Sequence, residues 1–249
     1  MREDEPFERL TEADMPGIAF VKKIRSLLEE EITIVERKDD SKPQSIPSEV
    51  IDHYNQAQGF EANNQFGKVL ETLLEAIDIA PGCARCWSAF GPSLLKMGWR
   101  KEAEGVTKRA LELDGNSPKI WADYGDLLIY QKKIDEAAKA FERSIELDSN
   151  NDYVWHNLGS VYLAQKKIDG TIKAWKEVTR INPKAAIVWF NLGTLLDSMG
   201  RGAEADAAYE KFIQLQPQDG PKAVAIAKER IAAARGGQGQ GQPGNFGIG

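Results

Sequence analysis

An all-α fold of stacked helix pairs, an α-solenoid, is predicted by three features of the chain. Trp87, Trp121, Trp155 and Trp189 recur at one constant interval without insertion or deletion, and a fixed period of a few tens of residues marks repeated supersecondary units. Each Trp is followed four residues later by Gly91, Gly125, Gly159 or Gly193, with a large apolar residue just before it (Phe90, Tyr124, Leu158, Leu192), giving W-x-x-Φ-G. Pro183 and Pro217 recur at one register and stop a helix there.

Taking the elements in order, residues 1–49 carry 8 Lys/Arg against 13 Asp/Glu, while residues 50–249 carry 24 against 25. The acidity thus lies in the leader. Residues 18–35 place Val21, Ile24, Leu28, Ile32 and Val35 on one side of an amphipathic helix. That helix is expected to dock on its own chain near residues 50–83. Residues 37–48, with Pro43 and Pro47, read as a linker.

From residue 50 the chain divides into units starting at Val50, Ala84, Pro118, Asp152 and Ala186, ending at 219. Within one unit, the large residues from Trp121 to Leu128 share a helical face with Gly125, where a side chain would hold a neighbouring helix away. Ala137, Phe141, Ser144, Ile145 and Leu147 repeat the helical spacing in its second half. Truncating a central Trp is expected to cost roughly 3–5 kcal/mol. The first unit is degenerate, with His53 at the Trp register. Residues 220–235 predict a helix that caps the open end, and 236–249 a flexible Gly/Gln-rich tail.

The Trp, Gly, Ala (Ala103, Ala137, Ala205), aromatic (Phe141, Trp175, Tyr209) and Pro registers resemble the tetratricopeptide repeat family, whose unit is a 34-residue antiparallel helix pair. The resemblance covers residues 50–219 and implies a protein-binding adaptor or scaffold that holds a peptide segment or helix of a partner in a concave groove. The groove registers carried over from the family are Tyr54, Asn55, Gln58 and Glu61, then Arg85, Ser88 and Pro92, then Lys119, Asp123, Asp126 and Tyr130. The later units add Tyr153, His156, Asn157 and Ser160, then Ile187, Phe190, Asn191 and Thr194. Peptide contact is expected chiefly from Tyr130, Tyr153, His156, Asn157, Phe190, Asn191, Asp123 and Asp126. Asn157 and Asn191 each offer an amide donor and acceptor to an extended backbone, and Tyr130, Tyr153 and Phe190 are expected to be exposed anchors. The set that clamps a C-terminal carboxylate in chaperone-binding relatives is missing, because Ala122 and Asp126 precede Asn157 where Lys and Asn are required.

Cys83-Ala-Arg-Cys86 is the motif open to thiol or metal chemistry, at a helix start that would stabilise a thiolate. A zinc site needs four ligands and the pair supplies two, so the readings left open are a structural turn, a redox pair, or a metal site completed elsewhere. Pro92 inside a helix is either a kink or a tolerated irregularity, and the twice-used QKKID at 131–135 and 165–169 either a solvated turn or an acidic-partner site. No nucleophile–base constellation or phosphate loop is present. The chain is therefore expected to be no enzyme and to need no cofactor. The near-neutral repeats disfavour nucleic acid. With no long apolar run and an acidic rather than basic start, a cytoplasmic location is expected, without membrane insertion. The remaining alternatives are a thiol-redox or metal-carrying regulator acting through Cys83 and Cys86, and a module that self-associates through the leader helix.

Overall fold

A computed structural model describes residues 15–29, 46–215 and 221–237, all of them helical or in the turns between helices. The chain is an all-α solenoid fold and divides into two compact units, 1–149 and 150–249.

The first unit contains α1 (Met15–Glu29), α2 (Ser48–Ala62), α3 (Phe66–Ile79), α4 (Ala84–Lys96), α5 (Arg100–Leu113), α6 (Pro118–Tyr130) and α7 (Ile134–Leu147). Three antiparallel pairs form, α2 with α3, α4 with α5 and α6 with α7, and neighbouring pairs pack in turn. The second unit contains α8 (Asp152–Ala164), α9 (Ile168–Ile181), α10 (Ala186–Ser198), α11 (Gly202–Gln214) and α12 (Pro221–Gly237). Here α8 pairs with α9 and α10 with α11, while α12 covers α11 and buries Ala227 and Ile231.

The close approach within a pair rests on the glycine register. A Cβ built on Gly125 would lie 2.6 Å from the Phe141 ring, one on Gly159 2.5 Å from the Trp175 ring, and one on Gly193 2.7 Å from the Tyr209 ring. Ring and glycine stand at the same offset along the chain in all three, so one small and one large residue fill a single contact. The turns share a feature that composition conceals: Asn64, Gly98, Lys132, Lys166 and Gly200 all have positive φ. They recur at the same interval as the tryptophans. Both QKKID segments are thus helix-to-helix turns, each with its first lysine in a left-handed conformation. Gln131 and Lys133 of the first reach back to Glu104, at 3.0 and 3.2 Å, so its acidic partner is this chain's own α5.

One expectation is corrected. Only Trp87 of the four periodic tryptophans is fully buried; Trp121, Trp155 and Trp189 are half-buried. The indole N–H of Trp87, Trp121 and Trp189 donates to the carbonyl of Pro81, Gly115 and Pro183, six residues back, at 2.8–3.0 Å. At the half-buried positions this residue pins a turn more than it fills a core, and its truncation costs less than a core tryptophan's.

The leader helix is seated on the first unit. α1 is described over Met15–Glu29; Ile32 and Val35 lie outside the described residues, as does the tail beyond 237. The helix packs on its own chain, across α3 within residues 50–83 and across α5 beyond them. Val21 and Ile24 are fully buried there, Lys23 pairs with Asp78 at 2.6 Å, and Arg25 donates to the buried Glu102 at 2.6 Å. Leu28 occupies the space that Gly105 leaves open. His53 is held by its own pair, its Nδ1–H donating to the Glu49 carbonyl (2.7 Å) and its Nε2 meeting Glu75 at 3.2 Å.

Glu104 ties consecutive pairs of the first unit together. Partial burial works to raise its pKa, but hydrogen bonds from Lys108, Gln131 and Lys133 outweigh it and hold the carboxyl at about 2, below the usual 4.5. A carboxylate with a depressed folded pKa stabilises above its unfolded value and loses that contribution as pH falls. Between pH 4.5 and about 2 the wild type should therefore lose about 1 kcal/mol more, after solvent screening, than Glu104→Gln. Urea midpoints measured across that range check this, and parallel curves would show that the cluster contributes nothing.

Candidate functional site

The first helices of the three pairs in the first unit, α2, α4 and α6, present their outward-facing side chains to one open cavity of about 700 Å³. Tyr54, Gln58 and Glu61 come from α2, Arg85, Ser88 and Pro92 from α4, and Lys119 and Asp123 from α6. These are successive turns of each helix, and one repeat period relates Tyr54 to Ser88, Gln58 to Pro92 and Arg85 to Lys119. Cys83 and Ile46 also line it.

Polar contacts shape its floor. Ser88 Oγ donates to Asp123 Oδ2 at 2.6 Å, joining α4 to α6, and Lys119 Nζ reaches both Asp123 oxygens at 3.1 Å. Burial works against the Lys119 ammonium, yet the adjacent Asp123 carboxylate, with Tyr54 and Glu61, outweighs it and raises its pKa. The Arg85 guanidinium lies over the Tyr54 ring at 5.7 Å, and Gln58 donates to the Tyr54 hydroxyl at 2.8 Å. The cavity therefore offers an aromatic face, cations (Arg85, Lys119) and acids (Glu61, Asp123) side by side.

Cys83 and Cys86 are joined by a disulfide at the start of α4, and Cys83 Sγ accepts from the Cys86 N–H at 3.2 Å as the helix cap. In this state the pair offers no thiolate, and no cluster of three or more metal-ligating side chains exists among the described residues. Pro92 sits within α4, which continues to Lys96.

Of the residues expected to contact peptide, Asp123 lines the cavity. Asp126 is half-buried one turn on. Tyr130, 47% exposed at the end of α6, lies under Arg100 at 5.2 Å. In the second unit Tyr153 is 53% exposed at the start of α8, whereas His156, Asn157 and Asn191 are half-buried. The His156 carbonyl accepts from the Trp175 indole at 3.4 Å. Phe190 departs from expectation: it turns inward, its ring 5.0 Å from Phe212 and 5.9 Å from Tyr209. The large rings on α11 draw it in, so it is not an exposed anchor. Tyr54 was visible as a groove register, but nothing in the sequence revealed that Arg85 would stack on it. Phe190→Ala should lower stability by about 2 kcal/mol and Tyr153→Ala by almost none, as read from chemical denaturation; equal effects would contradict the inward placement.

Residues 125–166 match a family model described as TPR repeat, and residues 186–219 one described as tetratricopeptide repeat. Comparison with curated proteins returns no match. Among solved structures the chain is similar to PilF of Pseudomonas aeruginosa, at 20% identity and TM-score 0.66, covering 80% of this chain and 94% of that one. It is also similar to YrrB, described as a TPR protein with an unusual peptide-binding site, at 19% identity and TM-score 0.56 over 85% and 98% of the two chains. A third is MamA from Desulfovibrio magneticus RS-1, at 16% identity and TM-score 0.59 over 71% and 99%. At these identities the structural likeness speaks for the fold.

Proposed function

We propose that this chain, which belongs to the tetratricopeptide repeat family, is a protein-binding scaffold that holds an extended segment of a partner against α2, α4 and α6. The observation that carries the reading is the roughly 700 Å³ cavity whose walls come from three successive first helices, with neighbouring helices sharing repeat positions: Tyr54 with Ser88, Gln58 with Pro92, and Arg85 with Lys119. An extended peptide crossing them would lay side chains over Tyr54 and pair its own charges with Arg85, Lys119 and Glu61. The peptide-binding site named for the similar YrrB supports the same kind of ligand. Tyr130, Asp126 and Asp123 extend the surface in the first unit, and Tyr153, His156, Asn157 and Asn191 provide a comparable face in the second. Division into repeats at 50–83, 84–117, 118–151, 152–185 and 186–219, and a cytoplasmic role, belong to this proposal. No helix among the described residues is long and apolar enough to cross a membrane.

Affinity capture from the native host, repeated with Tyr54→Ala, Lys119→Glu and Tyr153→Ala variants of unchanged melting temperature, tests the reading. Loss of a specific partner with the first two is expected; retention with all three would overturn it.

One observation favours a second reading, in which the cysteine pair regulates that surface: Cys83 both lines the cavity and caps α4. Exchange with two external thiols would break the Sγ–Sγ bond, leaving two cysteine thiols and an external disulfide. Partner affinity measured before and after reduction should then differ, and identical affinities would dismiss the idea. The seat of α1 on α3 and α5 speaks against its use in joining copies.

A further inference from the structure

The second unit carries a groove of about 380 Å³ on α9, α10 and α11, lined by Lys176, Thr179, Trp189, Leu192, Leu196 and Ala207. Glu204, Ala208 and Lys211 complete the lining. Three repeat periods earlier, the corresponding positions are those that receive α1. Glu204 corresponds to Glu102, which binds Arg25, and Ala207 to Gly105, which accommodates Leu28. The first unit thus shows what this register holds: an amphipathic helix laid across two second helices.

We propose that the α9–α11 groove is a docking site for an amphipathic helix of another protein, one carrying an acidic residue toward Arg180 and a small residue toward Ala207. A second copy's α1 is the wrong occupant on two counts. Asp78, which pairs with Lys23 in the first unit, is replaced at this register by Arg180, so Lys23 would meet a like charge. Leu28 packs where Gly105 has no side chain: a Cβ there would come within 2.7 Å of its Cδ1, and Ala207 has that Cβ, so the leucine would have to shift. Lys211 adds a cation to the walls, while Lys176 is paired with Glu204 at 3.1 Å. Arg180 is held by Glu177 one turn before it, at 2.7 Å, in an exposed pair that an incoming carboxylate can share. Apolar contact comes from Trp189, Leu192 and Leu196. This site lies on α9, α10 and α11 of the second unit, whereas the peptide cavity lies on α2, α4 and α6 of the first, so either can fail without the other.

Two fluorescein-labelled peptides provide the probes, both with the sequence of α1 bearing Leu28→Ala and one also bearing Lys23→Glu. Titrated with the full chain, the Lys23→Glu peptide should bind about fivefold more tightly, the worth of one exposed charge pair. Arg180→Glu should invert that preference, and Ala207→Arg, at an exposed helical position, should abolish binding of both with the melting curve retained. Should Ala207→Arg fail to fold, the Arg180→Glu inversion decides alone. Equal binding of the two peptides, insensitivity to Arg180→Glu, or no binding up to about 1 mM would overturn the proposal. So would a dimer of the full chain that Ala207→Arg dissociates, since the occupant would then be a second copy.

Discussion

Ile24→Ala should lower the stability of the first unit by about 2–4 kcal/mol, because a fully buried branched side chain is removed from the seam between α1, α3 and α5. The effect reaches beyond the cavity left behind. A short amphipathic helix is marginal on its own, so weakening its apolar seam frees Arg25 as well and leaves Glu102, only 4% exposed, without its cation. Lys22→Ala, on the exposed face of the same helix, should change stability by less than about 0.5 kcal/mol. Urea denaturation of the two variants separates a seated helix from a dangling one, and equal midpoints would show that α1 contributes no fold stability.

The second large effect is expected at Gly159. Adding one methyl places a carbon 2.5 Å from the Trp175 ring, and a 5%-exposed indole has little room to retreat. The α8–α9 pair must then open, at a cost of about 1–3 kcal/mol for overpacking, although alanine favours a helix by up to about 1 kcal/mol. Gly91→Ala is the informative contrast. There the nearest atom is Thr107 Oγ1 at 3.1 Å, a side chain that can yield by a few tenths of an ångström, so the helix-forming gain should largely offset the crowding. Thermal melts that rank Gly159→Ala below Gly91→Ala support this account of the register. The reverse order would show that the glycine serves something other than the aromatic ring.

What the sequence made legible follows from periodicity. The Trp-to-Gly interval, the fixed offset from glycine to aromatic ring and the position of Asp123 on a groove face are all local or strictly repeated, so helical periodicity and a constant repeat length place them. The seat of α1 is of another kind. Lys23 meets Asp78 and Arg25 meets Glu102 across 55 and 77 residues, and neither acid is distinguishable in sequence from any other surface acid. Gly105 lies outside the repeated glycine register and gains its purpose only from Leu28. Phe190 shows the limit of register reasoning itself: a position that faces a groove in one unit turns inward in another when Tyr209 and Phe212 offer it a packing partner. The left-handed Lys132 and Lys166 were equally hidden, since lysine carries no turn signature where glycine or asparagine would.

A partner held along α2, α4 and α6 is the central claim, and site-specific photo-cross-linking in the native host tests it most directly. A photoreactive amino acid replacing Arg85, within the cavity, should yield a discrete adduct with another protein that Lys119→Glu suppresses. The same amino acid replacing the exposed Lys139 on α7 should yield none. Adducts of equal strength from both positions, or from Lys139 alone, would contradict the assignment of the partner to this face.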